Sequence, residues 1–235
     1  MKSTTNAYRT LNAFKSPLAV ATLTLFIAAN LAMAARDPNN SIAKPQGSYQ
    51  GQSYGEWSAE WWQTMLSMPV VNGQHPLLNG GALTNGSGEV FLAAAPSGPA
   101  TISITIPSGT PIIVPIVNAE CSTVEEPPFQ GETEPELRAC ANGHIDQTTL
   151  LSATIDAVPV SELQTYRTQS PLFEFTLPAN NVLNEPAGTT GQAVDAGVYL
   201  VIKPLSRQTT HTIRVSGTFP QFNTTIDTTF LITVQ

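Results

Sequence analysis

Apolar and polar positions follow three different periods along this chain. Residues 18–31 form an apolar run broken only by Thr22, Thr24 and Asn30. Residues 53–68 repeat at helical spacing. Wound at about 100° per residue, Tyr54, Trp57, Trp61 and Met65 share one face, Trp62 and Leu66 widen it, and Glu56, Glu60, Gln63 and Ser67 lie opposite. Ser53-Tyr54-Gly55-Glu56 has the form of a capping box, and Pro69 ends the helix. From Val90 onward the period falls to two. Residues 101–106 alternate, as do 172–177, with Phe173, Phe175 and Leu177 on one side and Glu174 and Thr176 on the other. The last segment sets Ile226, Phe230, Ile232 and Val234 against Asp227, Thr229 and Thr233. Residues 112–117, 150–155, 198–202 and 211–215 complete the set of predicted strands.

Alternation with one polar face predicts antiparallel sheets rather than βαβ units. The expected fold is therefore mainly β: an antiparallel two-sheet β-sandwich, jelly-roll or Ig-like, with one N-terminal amphipathic helix. Residues 35–52 are polar, contain Pro38 and Pro45, and read as a flexible leader before a single domain at 53–235. Residues 120–138 hold six glutamates and three prolines and read as a long loop, proline-stiffened and solvated, without the Asp/Asn/Gly spacing of a calcium loop.

The N-terminus changes the picture of where this domain works. Lys2, Arg9 and Lys15 precede the apolar run, and Ala32-Met33-Ala34 follows it as a small-x-small cleavage pattern. Roughly 14 apolar residues fall short of the ~20 that span a bilayer. Residues 1–34 thus read as a cleavable signal peptide, and the protein as exported, to the periplasm or beyond the cell, with no membrane span after cleavage. The chain carries 10 Lys+Arg against 17 Asp+Glu, a net charge of −7. Losing the three basic residues of the signal takes the mature protein to −10. Such a balance excludes the basic footprint of a nucleic-acid binder. In an oxidising compartment the two cysteines, Cys121 and Cys140, read as a disulfide.

Tyr54-Gly55-Glu56-Trp57 followed by Glu60-Trp61-Trp62-Gln63 forms a distinctive motif near the mature N-terminus. Gly88-Glu89-Val90-Phe91-Leu92-Ala93, Pro115-Ile116-Val117-Asn118 with Glu120-Cys121, Tyr166-Arg167 before Ser170-Pro171-Leu172-Phe173, and Pro204-Leu205-Ser206 before His211-Thr212-Ile213 follow in order. In these marks the chain resembles a family of uncharacterised exported bacterial proteins. The resemblance implies export and a β-rich fold and supplies no reaction. The chain departs from that pattern at Thr64, where a further tryptophan is expected, at residues 207–210, which replace a Pro-Gly turn, and at Ala157, which replaces a glycine after Asp156.

Three sets of residues carry candidate chemistry. Trp57, Trp61 and Trp62 are either a stacking platform for a ligand or core packing, with Trp62 at the edge of the stripe. Glu56 and Glu60, one helical turn apart, are either an acid/base pair or the solvated face of the helix. His144 and Asp146 could join His75 or His211 at a metal only if distant segments meet; no metal or other cofactor is expected. No Gly-x-Ser-x-Gly elbow or phosphate-cradling glycine loop occurs. The expected function is a non-catalytic extracytoplasmic module that binds a carbohydrate or an envelope protein. A secreted carboxylate-dependent hydrolase and a structural envelope protein are the alternatives. Expressed with its leader in a bacterial host, the protein should leave the cytoplasm and begin at Ala35 on N-terminal sequencing. A membrane-bound species retaining Met1 would make the leader an anchor.

Overall fold

The computed structural model describes residues 38–85, 88–93, 98–207 and 210–235; the signal peptide expected at 1–34 and residues 35–37 lie outside them. The elements run β1 (Ser48–Tyr49), β2 (Gln52–Ser53), α1 (Tyr54–Leu66), α2 (Pro76–Asn79), β3 (Gly81–Thr84), β4 (Val90–Ala93), β5 (Gly98–Ile106), β6 (Ile112–Ser122) and α3 (Glu134–Asp146). They continue with β7 (Thr149–Ile155), β8 (Val158–Pro159), β9 (Arg167–Gln169), β10 (Phe173–Thr176), β11 (Thr190–Ile202), β12 (Thr210–Phe219) and β13 (Thr224–Val234). The protein is mainly β. One sheet has the order β10-β11-β6-β4-β3 with β9 also on β11, the other β5-β13-β12-β7-β8, and neither closes into a barrel among the described residues.

The pairing is not antiparallel throughout. β4 runs parallel to β6, and β5 runs parallel to β13 along its whole length. Alternation reports that one face of a strand is wet, not which way its neighbour runs, so these two pairings could not be read from the period. The five-stranded sheet does alternate: buried and half-exposed residues take turns along β12 and β13, with threonines on the outer face.

β6 and β11 behave differently, because both of their faces are covered. Residues paired across neighbouring strands point the same way, which sorts the two faces. On one, Ala193 packs with Leu66 of α1, and Trp62 reaches Asp195. On the other, Cys121 is bonded to Cys140 of α3, and a Cβ added to Gly217 of β12 would collide with Val117. Burial is accordingly near-continuous along both strands. Helix α1 begins with the capping box read from the sequence: Ser53 Oγ accepts from the Glu56 N–H at 3.3 Å, and Ser53 N–H donates to Glu56 Oε2 at 2.7 Å.

Two readings of the sequence need correction. The segment taken as a flexible leader is tied down from Pro38 onward. Ile42 and Ala43 are buried, Ala43 N–H donates to Val201 O at 2.8 Å, and Ala43 O accepts from the Tyr54 hydroxyl at 2.8 Å. Two apolar side chains among polar ones sufficed to dock it as a strap on β11. The long loop at 120–138 is broken up as well. Residues 120–122 belong to β6, and α3 starts at Glu134 behind a Thr133–Glu136 capping box. Leu137, Ala141 and Ile145 recur every fourth residue and are buried; Glu134, Pro135 and Glu136, which helped suggest a loop, are helix-start residues, and only residues 123–133 remain as a connection.

Asp156 and Ala157 join β7 to β8 as a two-residue turn with φ of 51° and 64°. A two-residue hairpin with both φ positive favours glycine at its second position, and an alanine there is strained. Ala157→Gly should raise stability by about 1 kcal/mol in urea unfolding. Breaking Cys121–Cys140, whose ends are 19 residues apart, should lower it by about 3 kcal/mol and the midpoint by several degrees, measured as Cys121→Ser/Cys140→Ser against the oxidised protein.

Candidate functional site: a carboxyl cluster beside an apolar cavity

Glu120 of β6 and Asp195 of β11 stand directly opposite each other in the β6–β11 register, on the face that α1 covers. Neighbouring positions on this face are shaped around them. Gly197 carries no side chain, and a Cβ there would lie 2.6 Å from the ring of Tyr199. Asp195 is held from both sides. Its N–H donates to Ser170 Oγ at 2.8 Å, and its Oδ1 accepts from Trp62 Nε1 at 2.8 Å. Ser58, one helical turn before Trp62, and Tyr199 bring hydroxyls alongside and, with Trp62, favour the charged form. Neither takes up Oδ2, which is buried without a hydrogen-bond partner. Burial outweighs these donors and pushes the Asp195 carboxyl up to about 7.

Glu120 is only 3% exposed, and its Oε1 is likewise unpartnered. Burial, then Glu125, then Asp195 drive its pKa well above the usual carboxylate range. Glu125 shares a hydrogen bond with Glu120 and accepts one from Ser122 Oγ at 3.1 Å; burial raises its pKa too. The three acids form a chain, Asp195–Glu120–Glu125, in which burial raises every carboxyl and the neighbouring acids push Glu120 up further.

A cavity of about 560 Å³ opens beside this chain. It exists because β4 pairs with β6 only at Ile112 and Ile113. From Val114 to Cys121 no described strand pairs with that side of β6, where Pro115 has no N–H to satisfy. Trp61, Trp62 and Leu66 of α1 form one wall and Phe219 and Ile226 of the second sheet another, with Phe129 and Phe222 between. Asn118, Glu120, Glu125 and Thr224 are the polar lining side chains apart from the tryptophan N–H groups. Asn118 Nδ2 donates to the Tyr199 hydroxyl at 2.9 Å, which leaves the two glutamates as the acidic end of an otherwise apolar chamber.

The residues singled out in the sequence are scattered by this geometry. Trp61 and Trp62 line the cavity, whereas Trp57 is core: its ring packs edge-on against Phe91 and its Nε1 donates to Tyr49 O at 3.2 Å. Glu56 is exposed and spent on the cap, whose hydrogen bonds hold its carboxyl below the usual range. Glu60 accepts from Gln52 at 2.9 Å and Asn85 at 2.6 Å on the outer side of α1, so these two acids do not form a catalytic pair. The histidines do not meet. His75 caps α2 and bonds Met65 O, His144 bonds Pro128 O from α3, and Asp146 pairs with Arg167. Cys121, Cys140 and His144 place ligand-type atoms within 4.8 Å of one another, but both sulfurs are committed to the disulfide.

His211 makes a triad-like contact, Nδ1 to Asp156 Oδ2 at 2.7 Å and Nε2 to Ser206 Oγ at 3.1 Å. Nε2 also faces the Ser206 carbonyl at 3.2 Å, and Ser206 is on an exposed loop, so the imidazole pins the β11–β12 connection.

No family model matches this chain, and neither curated proteins nor solved structures offer a match. The site therefore stands on its own chemistry. Asp195 and Glu125 were missed in the sequence because an isolated acid in an apolar strand and one glutamate among six carry no spacing signal. The one clue was Asp195 itself, a lone charge within the run from Ala193 to Ile202. Because its pKa is raised from 3.8 to about 7 on folding, Asp195 favours the folded state fully below about pH 4 and less as the pH climbs towards 7, with no further loss above that. Asp195→Asn should match the parent near pH 4 and melt several degrees higher at pH 7.5 by scanning calorimetry.

Proposed function

We propose that this protein is an exported binding module that encloses a small, largely apolar ligand in the chamber beside Glu120. The observation that carries the reading is the 560 Å³ cavity with aromatic walls and a few convergent polar groups, the usual make-up of a small-molecule site. The carbohydrate expected from the tryptophan stripe fits less well: a sugar presents hydroxyls all round, and this lining offers few partners for them. The signal-like leader and the disulfide support export. For the fold, we infer a two-sheet sandwich, supported by the contact of Val117 on one sheet with the Gly217 position on the other.

The pairing of Glu120 with Asp195 favours a second reading, a hydrolase in which the protonated member donates to a leaving group and the other activates water. Turnover of an aryl ester or aryl glycoside panel, lost in both Glu120→Gln and Asp195→Asn, would carry that reading over the first.

The binding reading predicts that Nile red, a neutral apolar dye, brightens with the oxidised protein in a saturable titration. Leu78→Trp, at an exposed position on the cavity wall, should weaken it at least five-fold without lowering the melting temperature. Absence of saturable binding would sink the reading.

A further inference from the structure

We propose that the chamber selects an organic cation: an ammonium group carried on an apolar body, its charged head against Glu120 and Glu125. The inference rests on the binding reading above and specifies its ligand class. Its first support is a mismatch of charge. The cavity wall contains two carboxyls and no lysine, arginine or histidine. Ion pairs elsewhere in the protein have their partners, as in Arg214 with Asp227 at 2.8 Å and Arg167 with Asp146 at 2.7 Å. Glu120 has none: it is almost wholly buried, lines the cavity, and keeps Oε1 unpartnered. A buried acceptor left in that state is destabilising, and native proteins keep few of them.

The second support is the wall around the acids. Trp61 and Trp62 meet edge to face at 5.1 Å, and Phe129 and Phe222 lie 5.3 Å apart. Aromatic faces attract a cation, whereas they contribute nothing of that kind to a carboxylate or phosphate. An anion would also meet Glu125, whose neighbours are Glu120, Ser122 and, through the Phe129–Phe222 group, His144. A neutral alcohol supplies one donor. A primary ammonium supplies three donors and a charge, enough for Glu120 and Glu125 together. Burial is the largest cause of the raised proton affinity of both glutamates, offset at Glu125 in part by hydrogen bonds and by His144, and a bound ammonium adds compensation at the cavity while displacing a proton.

Three probes with one body separate the possibilities: 4-phenylbutylamine, 4-phenylbutanol and 4-phenylbutanoate, titrated by calorimetry at pH 7 into the oxidised protein. The amine should bind at least ten-fold tighter than the alcohol, with the carboxylate weakest. Repeating the amine titration in buffers of different ionisation enthalpy should show proton release. Glu120→Gln and Glu125→Gln should each bring the amine-to-alcohol ratio down towards one, with circular dichroism and the melting curve reporting that the variants fold. Alcohol or carboxylate binding as tightly as the amine overturns the cation proposal and leaves the cavity reading intact. No binding of any probe, together with no Nile red signal, overturns both.

Discussion

The structure depends on the burial of β6 and β11 from both sides. A sheet covered on one face needs only alternate apolar residues, but this central pair lies between α1 and the combined layer of α3 and the second sheet. Any polar side chain on it has to find partners inside the protein. Most positions on the two strands avoid the problem by being apolar or glycine. Glu120 and Asp195 do not, and the register sets them side by side. Everything unusual in the site follows from that placement: the tryptophan N–H aimed at Asp195, the raised proton affinity of the acids, and the oxygen atoms left without donors.

The helix α1 has two tasks that its composition reconciles. Its buried stripe covers one face of the six-stranded sheet, and Trp57, Trp61 and Met65 are core residues by any measure of exposure. Its Ser58–Trp62 edge, one turn apart, meets the acid instead of hydrocarbon. A tryptophan suits that edge because it covers apolar surface and still offers a donor at its rim. The opposite face, with Glu56 in the cap and Glu60 between Gln52 and Asn85, ties the helix start to the strap and to the segment after β3.

The cavity arises from a pairing that stops short. β4 accompanies β6 for two residues, then the chain leaves, and the space along the remainder of β6 is roofed by side chains from five separate segments. A strand continuing that pairing would have filled the chamber and satisfied the edge. Pro115 fits the same account, since its missing N–H faces no partner strand. The disulfide adds rigidity nearby, anchoring the end of β6 to α3 just beyond Glu120.

By itself the sequence determined what depends on neighbours in the chain. The period-two runs marked the strands, Ser53 and Glu56 marked the start of α1, and two cysteines behind a signal-like leader marked the disulfide. Local patterns also misled where they were weighed by composition: the Glu- and Pro-rich opening of α3 looked like a loop although Leu137, Ala141 and Ile145 kept a helical spacing. Strand direction and the parallel pairings of β4 and β5 lay outside the sequence because alternation is the same in either direction. The carboxyl cluster lay outside it for a stronger reason. Asp195 is 75 positions from Glu120, and only the register of β6 on β11, fixed by packing on both faces, makes the two acids neighbours and buries them.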